Sequence, residues 1–399
     1  MARPLIIPSL ADLSQDIAGS IPVDLVTSWM ASGRDNAAHA TILEPYRRHG
    51  TVVCSDSAGL SKLSAARPLV EVMKLVSEPK EAIYAHGVAI GGRAVGVWAA
   101  DNTQMFYHDT IDAGAIVRQM IAAQRAIATK TVQVGIGIDI GTVYEIGGGL
   151  YGSEADAIEG FTEEETRAGE VVVSEDMLAL LREPRVKEQR GSMYVLEHET
   201  HNHAAAIAED YRYPAPFDRA FHDAIRALDP SDSAALDAIN ARYAKEKTIV
   251  LLRTFLPHGA RLLDECVTRV AANEVVHRVL ADDRHRCLVK SNGALAIIAT
   301  DDALHGADLG KRLLKEAREK GFDANVGVAR GDVLMFDLED GTRDIAGAPV
   351  NVASKIAEDT DERGRAFFEA SVAEAAARLG PCEAFKIGKS GLEIHGVKC

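Results

Sequence analysis

The chain has 399 residues, 47% of them hydrophobic, enough to bury the cores of two or three domains. With 44 Lys and Arg against 59 Asp and Glu the net charge is −15, which argues against a nucleic-acid-binding surface, because neutralising phosphates takes clustered cations. No apolar run is long enough to span a membrane, and Pro4, Pro8 and Pro22 break the N-terminal apolar runs, so neither a leader peptide nor membrane insertion is expected.

Cys54, Cys266, Cys287, Cys382 and Cys399 are odd in number, widely spaced and without a CxxC pair. They read as reduced thiols of a cytoplasmic protein.

In chain order, residues 1–48 read as a separate, partly helical arm. Residues 49–197 open with the β-rich "GTVVCSDSAGLSKL", which ends in a polar turn. A helix led by Pro68 follows, with Leu69, Val72, Met73 and Val76 at helical spacing. Next come a strand pair around "RAVGVWAADNTQMFYHD", a helix over 111–128, the strand "VQVGIGIDIG", a helix near 152–166 and the strand "EVVVS". Residues 198–246 read as a helical linker: the polar "HETHNH", then two short helices split at Pro230, with Ser231 as N-cap. Residues 247–399 repeat the first order: "KTIVLLRTFLPHG", a helix over 260–278, a strand pair around "CLVKSNGALAIIATDD", a helix over 303–320, "ANVGVARGDV", "RDIAGAPVNVASKIAED" and "RAFFEA". The interval from Gly152 to Gly169 equals that from Gly347 to Gly364, so the chain is a duplicated α/β unit.

"RDIAGAPVNVASKIAED" is the most specific stretch. Asp344 and Gly347 precede a helix on which Asn351 and Lys355 are four apart and share a face. This spacing resembles the pattern Asp-x-x-Gly-x-x-Val-Asn-x-x-x-Arg of the class III nucleotidyl cyclases, with lysine in place of the final arginine. The likeness is to the tandem type and covers about 50–197 and 247–396. It implies an α+β fold of two ferredoxin-like cyclase homology domains, each an antiparallel sheet with packed helices, forming an intramolecular pseudo-dimer with a helical N-terminal arm and linker.

The resemblance also implies site residues. In this family the active site lies between two domains, one holding two metal ions and the other recognising base and phosphates. "CSDSAGLS" and "WAADNTQMFY" are similar to the two metal-binding turns, which makes Asp56 and Asp101 ligands of two Mg²⁺ or Mn²⁺ ions. Carboxylate oxygens suit such hard cations, and an ion pair steadies the entering and leaving oxygens of a phosphoryl displacement. Small Ala58 and Gly59 would let backbone amides approach phosphates. The matching positions of the second copy are Arg253 and Ala294.

The second copy carries the remaining groups. Lys290 and Asp344 match the base-contacting pair, Asn351 the amide that orients the ribose, and Lys355 the transition-state arginine. Lys386 or Lys389 aligns with a phosphate-contacting lysine. The first copy has Val97, Gly149, Asp156 and Gly160 at the first four of these places.

The implied reaction is conversion of a nucleoside triphosphate, ATP in the first instance, to its 3′,5′-cyclic monophosphate and pyrophosphate. Two routes stay open for the 3′-hydroxyl proton: transfer to Asp56, or metal-assisted loss. The alternatives are a catalytically silent nucleotide-binding regulator, motivated by Lys355, and a cyclase for a pyrimidine nucleotide. The degenerate second cleft is open to a small-molecule or protein regulator. "HETHNH" has no complementary Cys or carboxylate cluster and reads as a solvated linker, and "GIGIDIG" lacks dinucleotide-loop spacing.

Overall fold

The computed structural model describes residues 21–399 except 61–62, 64–65, 97, 99–101, 199–203, 209–212, 214–216, 230, 257–258, 293–294, 339–342 and 390–391. The side chains of residues 23, 291, 292, 389 and 392 are likewise outside the description. The chain divides into two compact units. One is Leu43–Pro216 with Ile225–Leu228; the other comprises the described residues up to Ile42 with Phe217–Ala224 and Asp229–Cys399.

Helices α1 (Val23–Ala31) and α2 (Asn36–Leu43) are the first elements among the described residues. The first unit then runs β1 (Arg47–Ser57), α3 (Leu69–Val88), β2 (Arg93–Ala94), β3 (Thr103–His108), α4 (Ala113–Ile127), β4 (Val134–Ile146), β5 (Gly149–Tyr151), α5 (Ser153–Glu165), β6 (Val171–Ser174), α6 (Glu175–Ala179), β7 (Val186–Arg190) and β8 (Met193–Leu196). After α7 (Arg219–Ala227) and α8 (Ser233–Tyr243), the second unit runs β9 (Ala244–Phe255), α9 (Leu262–Val279), β10 (Leu288–Asn292), β11 (Leu295–Thr300), α10 (Ala303–Glu319), β12 (Asp323–Asp337), β13 (Arg343–Ala346), α11 (Ala348–Glu358), β14 (Ala366–Glu369), α12 (Ala370–Arg378), β15 (Glu383–Lys389) and β16 (Leu392–Lys398).

The two sheets have the same order, β2-β3-β1-β4-β6-β8-β7 and β10-β11-β9-β12-β14-β16-β15, with β5 and β13 added at equivalent places. All pairings are antiparallel except β4–β6 and β12–β14. The apolar spacing of each central helix accounts for its docking. On α4, Ile116, Met120 and Ile127 cover Val53, Ile136 and Ile138; on α10, Leu309, Leu313 and Ala317 cover Val250, Val326 and Val328. Both helices start from an aspartate N-cap: Asp112 accepts the amide of Ala115 and Asp302 that of His305, each at 2.7 Å.

Strand register makes the duplication residue-specific. Gly137 of β4 lies opposite Cys54 and beside Val172; Gly327 of β12 lies opposite Leu251 and beside Phe367. A Cβ on Gly137 would fall 2.1 Å from the Thr162 hydroxyl of α5, and one on Gly327 would fall 2.0 Å from the Ala353 carbonyl of α11. Glycine is therefore required where the crossing helix lies against the sheet. Two residues further along β1 and β9 stand Asp56 and Arg253.

Register also corrects one assignment. Lys290 pairs with Ile297, which pairs with Leu251. In the first copy Cys54 pairs with Gln104, whose carbonyl accepts the amide of Val95 at 2.9 Å. Val95, not Val97, occupies the place of Lys290, because the first copy's hairpin is longer; Val97 lies outside the described residues.

Three further expectations change. The arm packs on the second copy: Trp29 of α1 is fully buried, donates to Asp264 at 2.9 Å and lies under Arg261. Asp232, rather than Ser231, caps α8 by accepting the amides of Ala234 and Ala235. Cys382 and Cys399 form a disulfide, with Cα atoms 4.6 Å apart, while Cys54, Cys266 and Cys287 are free thiols. Spacing hid this pair because the β15–β16 hairpin register, Glu383 opposite Lys398, is what sets the flanking cysteines side by side. "HETHNH" beyond His198 lies outside the described residues. No helix among the described residues is long and apolar enough to cross a membrane.

One ion-pair cluster pins the first unit's edge strand. Arg190 of β7 donates two 2.7 Å hydrogen bonds to Glu170 just before β6, both side chains being 11% exposed, and it also holds Glu188. The Arg190 contact holds the Glu170 carboxyl below the usual glutamate range. A lowered folded-state value contributes stability above the unfolded glutamate pKa of about 4.3, and that stability is lost as pH falls through the folded value. Arg190→Met is expected to remove about 1–2 kcal/mol of stability at pH 7. Denaturant titrations at pH 7 and pH 3 should show the gap between wild type and variant closing in acid.

Candidate functional site

Lys290 and Asp344 come together in the second copy. Asp344 sits on β13, opposite Phe336, and is 2% exposed. Its carboxylate accepts the amide of Ile345 at 2.7 Å and is ion-paired with the Lys290 ammonium, which is 13% exposed. A buried carboxylate is tolerated only with such partners. The pair places a cationic donor and an anionic acceptor next to each other.

Three residues beyond Asp344, Gly347 turns the chain into α11 with φ of 155°, a conformation that favours glycine. Gly152 makes the equivalent turn before α5 with φ of 115°. Pro349 then stands in the first turn, where its missing N–H costs no helical bond. Ala353, Ile356 and Ala357 bury the inner face of α11. Asn351 is exposed and Lys355 partly exposed, and neither side chain makes a hydrogen bond or ion pair among the described residues. At the matching places the first copy has Val95, Gly149, Asp156 and Gly160, so it lacks this donor set.

Asp56 of the first copy is partly buried on β1 opposite Gly135. Immediately after it the expected phosphate cradle is only half available. The Ala58 amide is bound to the Gln133 carbonyl at 2.9 Å, so it has no N–H left for a phosphate. Gly59 is exposed, with φ of 79°. Asp101 lies outside the described residues.

No family model and no curated protein matches the sequence. Solved structures do. A class III adenylyl cyclase-like ATP-binding protein from Pseudomonas aeruginosa superposes with a TM-score of 0.52 at 11% identity, covering 82% of this chain and 85% of that one. The chain has the class III cyclase fold. An adenylyl cyclase from P. aeruginosa (TM-score 0.35, 21% identity, 40% of this chain and 98% of that one) is also similar. So is a guanylate cyclase domain from Catenaria anguillulae in complex with GTP (0.33, 16%, 38% and 96%).

Within these cyclase-fold domains the two C-terminal lysines separate. Phe385 and Ile387 of β15 pack with Val352 and Ile356 of α11, so alternation turns Lys386 to the other face. There it is ion-paired with Glu393 and 57% exposed. Lys386 is therefore not brought to α11; Lys389 lies on β15 with its side chain outside the description.

Among the described residues no group of three His, Cys, Asp or Glu side chains could hold a metal ion. Asp56, at a strand end beside an exposed glycine turn, fits one ligand of a carboxylate-held pair of hard cations. Arg253 at the equivalent place excludes such a pair from the second copy.

Sequence reading missed Lys80. It is 2% exposed on α3, and its ammonium donates to the Trp98 carbonyl at 2.7 Å, three residues before Asp101. Trp98 packs edge-on to Tyr84 and its indole donates to the Val95 carbonyl at 3.0 Å. A lone lysine in a helical stretch gives no pattern signal, because its partner is a backbone carbonyl set by tertiary packing.

Proposed function

We propose that this protein is a nucleotidyl cyclase that converts a nucleoside triphosphate, ATP by its base-recognising pair, to the 3′,5′-cyclic monophosphate and pyrophosphate. One observation carries the reading: at register-matched positions the two copies are complementary. The second copy has Lys290 with Asp344 where the first has Val95 and Gly149, and the first has Asp56 where the second has Arg253.

In this reading Lys290 donates to a ring nitrogen of adenine and Asp344 accepts from its exocyclic amine. Asn351 orients the ribose so that its 3′-oxygen faces the α-phosphorus. Lys355 neutralises charge that builds on the α-phosphate, and Lys389 contacts the departing phosphates. Asp56 and Asp101 would hold two Mg²⁺ or Mn²⁺ ions, which when bound stabilise negative charge on entering and leaving oxygens. The reaction belongs to adenylate-cyclase-type phosphorus–oxygen lyases.

Lys355 also favours a second reading, nucleotide binding without turnover, since lysine lacks the planar fork that grips two phosphate oxygens. One experiment separates the two. The purified chain is incubated with ATP, GTP, CTP or UTP under Mg²⁺ and Mn²⁺, and products are resolved chromatographically. Cyclic AMP is expected, with Asp56→Asn and Asp101→Asn each lowering its rate by about 10³ or more. Binding of a nucleotide with no cyclic product from any of the four would establish the silent reading, and cyclic CMP or cyclic UMP alone would move the substrate to a pyrimidine.

A further inference from the structure

The corner of the fold that carries Asp56 in the first copy has the opposite charge in the second. Arg253 of β9 lies between Leu295 of β11 and Asn325 of β12. Its Nε is buried and has no hydrogen-bond partner among the described residues. Two residues on, the Phe255 ring has the Arg253 guanidinium 5.7 Å from its centroid and the Arg363 guanidinium 3.3 Å from it. Neither arginine forms an ion pair among the described residues, although Arg365, Arg330 and Arg343 of the same unit each have a carboxylate partner. Two like charges sharing one ring without a counter-ion repel, and a buried Nε without an acceptor is destabilising.

The arrangement is held in place by a residue the first copy lacks. Asn325 is fully buried, and its amide nitrogen donates to the carbonyls of Ala357 at 3.1 Å and Glu362 at 2.9 Å and to the Thr360 hydroxyl at 3.1 Å. Its oxygen accepts the Arg365 amide at 3.2 Å. These contacts hold the segment from which Arg363 reaches the Phe255 ring that Arg253 also faces. In the first copy Gly135 replaces Asn325 and, by the Gly169–Gly364 equivalence, Ala168 replaces Arg363. Among the described residues no carboxylate is ion-paired with either arginine, and Glu362, the acid next to Arg363 in sequence, is held by Lys398 and Arg365.

We infer that the second copy binds a phosphate-class anion at Arg253 and Arg363. Guanidinium groups suit phosphoryl oxygens because their N–H donors form a rigid fork, and aromatic stacking keeps them oriented. The site is independent of the cyclase reading, since it uses none of the residues assigned to catalysis.

The test is calorimetric titration of the full chain in EDTA, without divalent cations, with orthophosphate and pyrophosphate as probes. Binding of either is expected, weakened roughly ten- to hundredfold by Arg253→Met and again by Arg363→Ala, and unchanged in Asp56→Asn. Arg363 is exposed, so its variant reads binding even where Arg253→Met perturbs folding, and thermal unfolding of each variant checks this. Absence of binding at millimolar probe, or binding that survives in the double variant while Lys355→Met abolishes it, overturns the inference.

Discussion

Asp344→Ala is expected to lower the stability of the second unit by about 3–5 kcal/mol, because it leaves the largely buried Lys290 ammonium without its counter-charge. The carboxylate also accepts the Ile345 amide, so that donor is orphaned as well. The double replacement Lys290→Met with Asp344→Leu removes both charges and is expected to recover most of the loss, since an ion pair and an apolar pair of similar volume are often close in stability. Urea titrations of wild type, both singles and the double complete the cycle. If the double is as unstable as the sum of the singles, the two side chains are not coupled. In the cyclase reading the same double variant lacks its base-contacting pair and is expected to lose discrimination between ATP and GTP.

Lys355 carries the second large effect, and it acts on rate. Lys355 makes no hydrogen bond or ion pair among the described residues, so its replacement leaves stability nearly untouched. In the cyclase reading Lys355→Met lowers kcat by about 10²–10³, the usual cost of removing a preorganised donor to transition-state charge. Lys355→Arg restores the planar fork and is expected to raise kcat by about tenfold with little change in KM. Steady-state kinetics on ATP check both. Unchanged kcat in Lys355→Met would make it an ordinary solvent-facing helix lysine.

Much of the fold was legible before any coordinates. Helical spacing at Leu69, Val72 and Val76 anticipated α3, and the run "GIGIDIG" anticipated β4 as a buried strand. Equal Gly152–Gly169 and Gly347–Gly364 intervals anticipated two sheets of one order. These signals are local: periodicity follows from which face is buried, and a positive-φ turn selects glycine wherever it occurs. The pairing of Lys290 with Asp344 was legible only through a family likeness.

What escaped reading depends on register and packing. Val95 instead of Val97 at the place of Lys290 follows from hairpin length, which alters pairing without altering composition. The Cys382–Cys399 disulfide and the Lys80 bond to Trp98 each join residues whose proximity no local pattern encodes.

By itself, then, the sequence determined the duplication, the order of strands and helices, and the unequal distribution of Asp, Asn and Lys between the copies, because these are written in period and residue type. Tertiary structure alone decided which side chains meet. Ala58 lost its free amide to Gln133, and Arg253 and Arg363 came to face one ring, Phe255, with no carboxylate partner among the described residues. Hydrogen bonds and charges act over a few ångströms, and only the folded chain sets those distances.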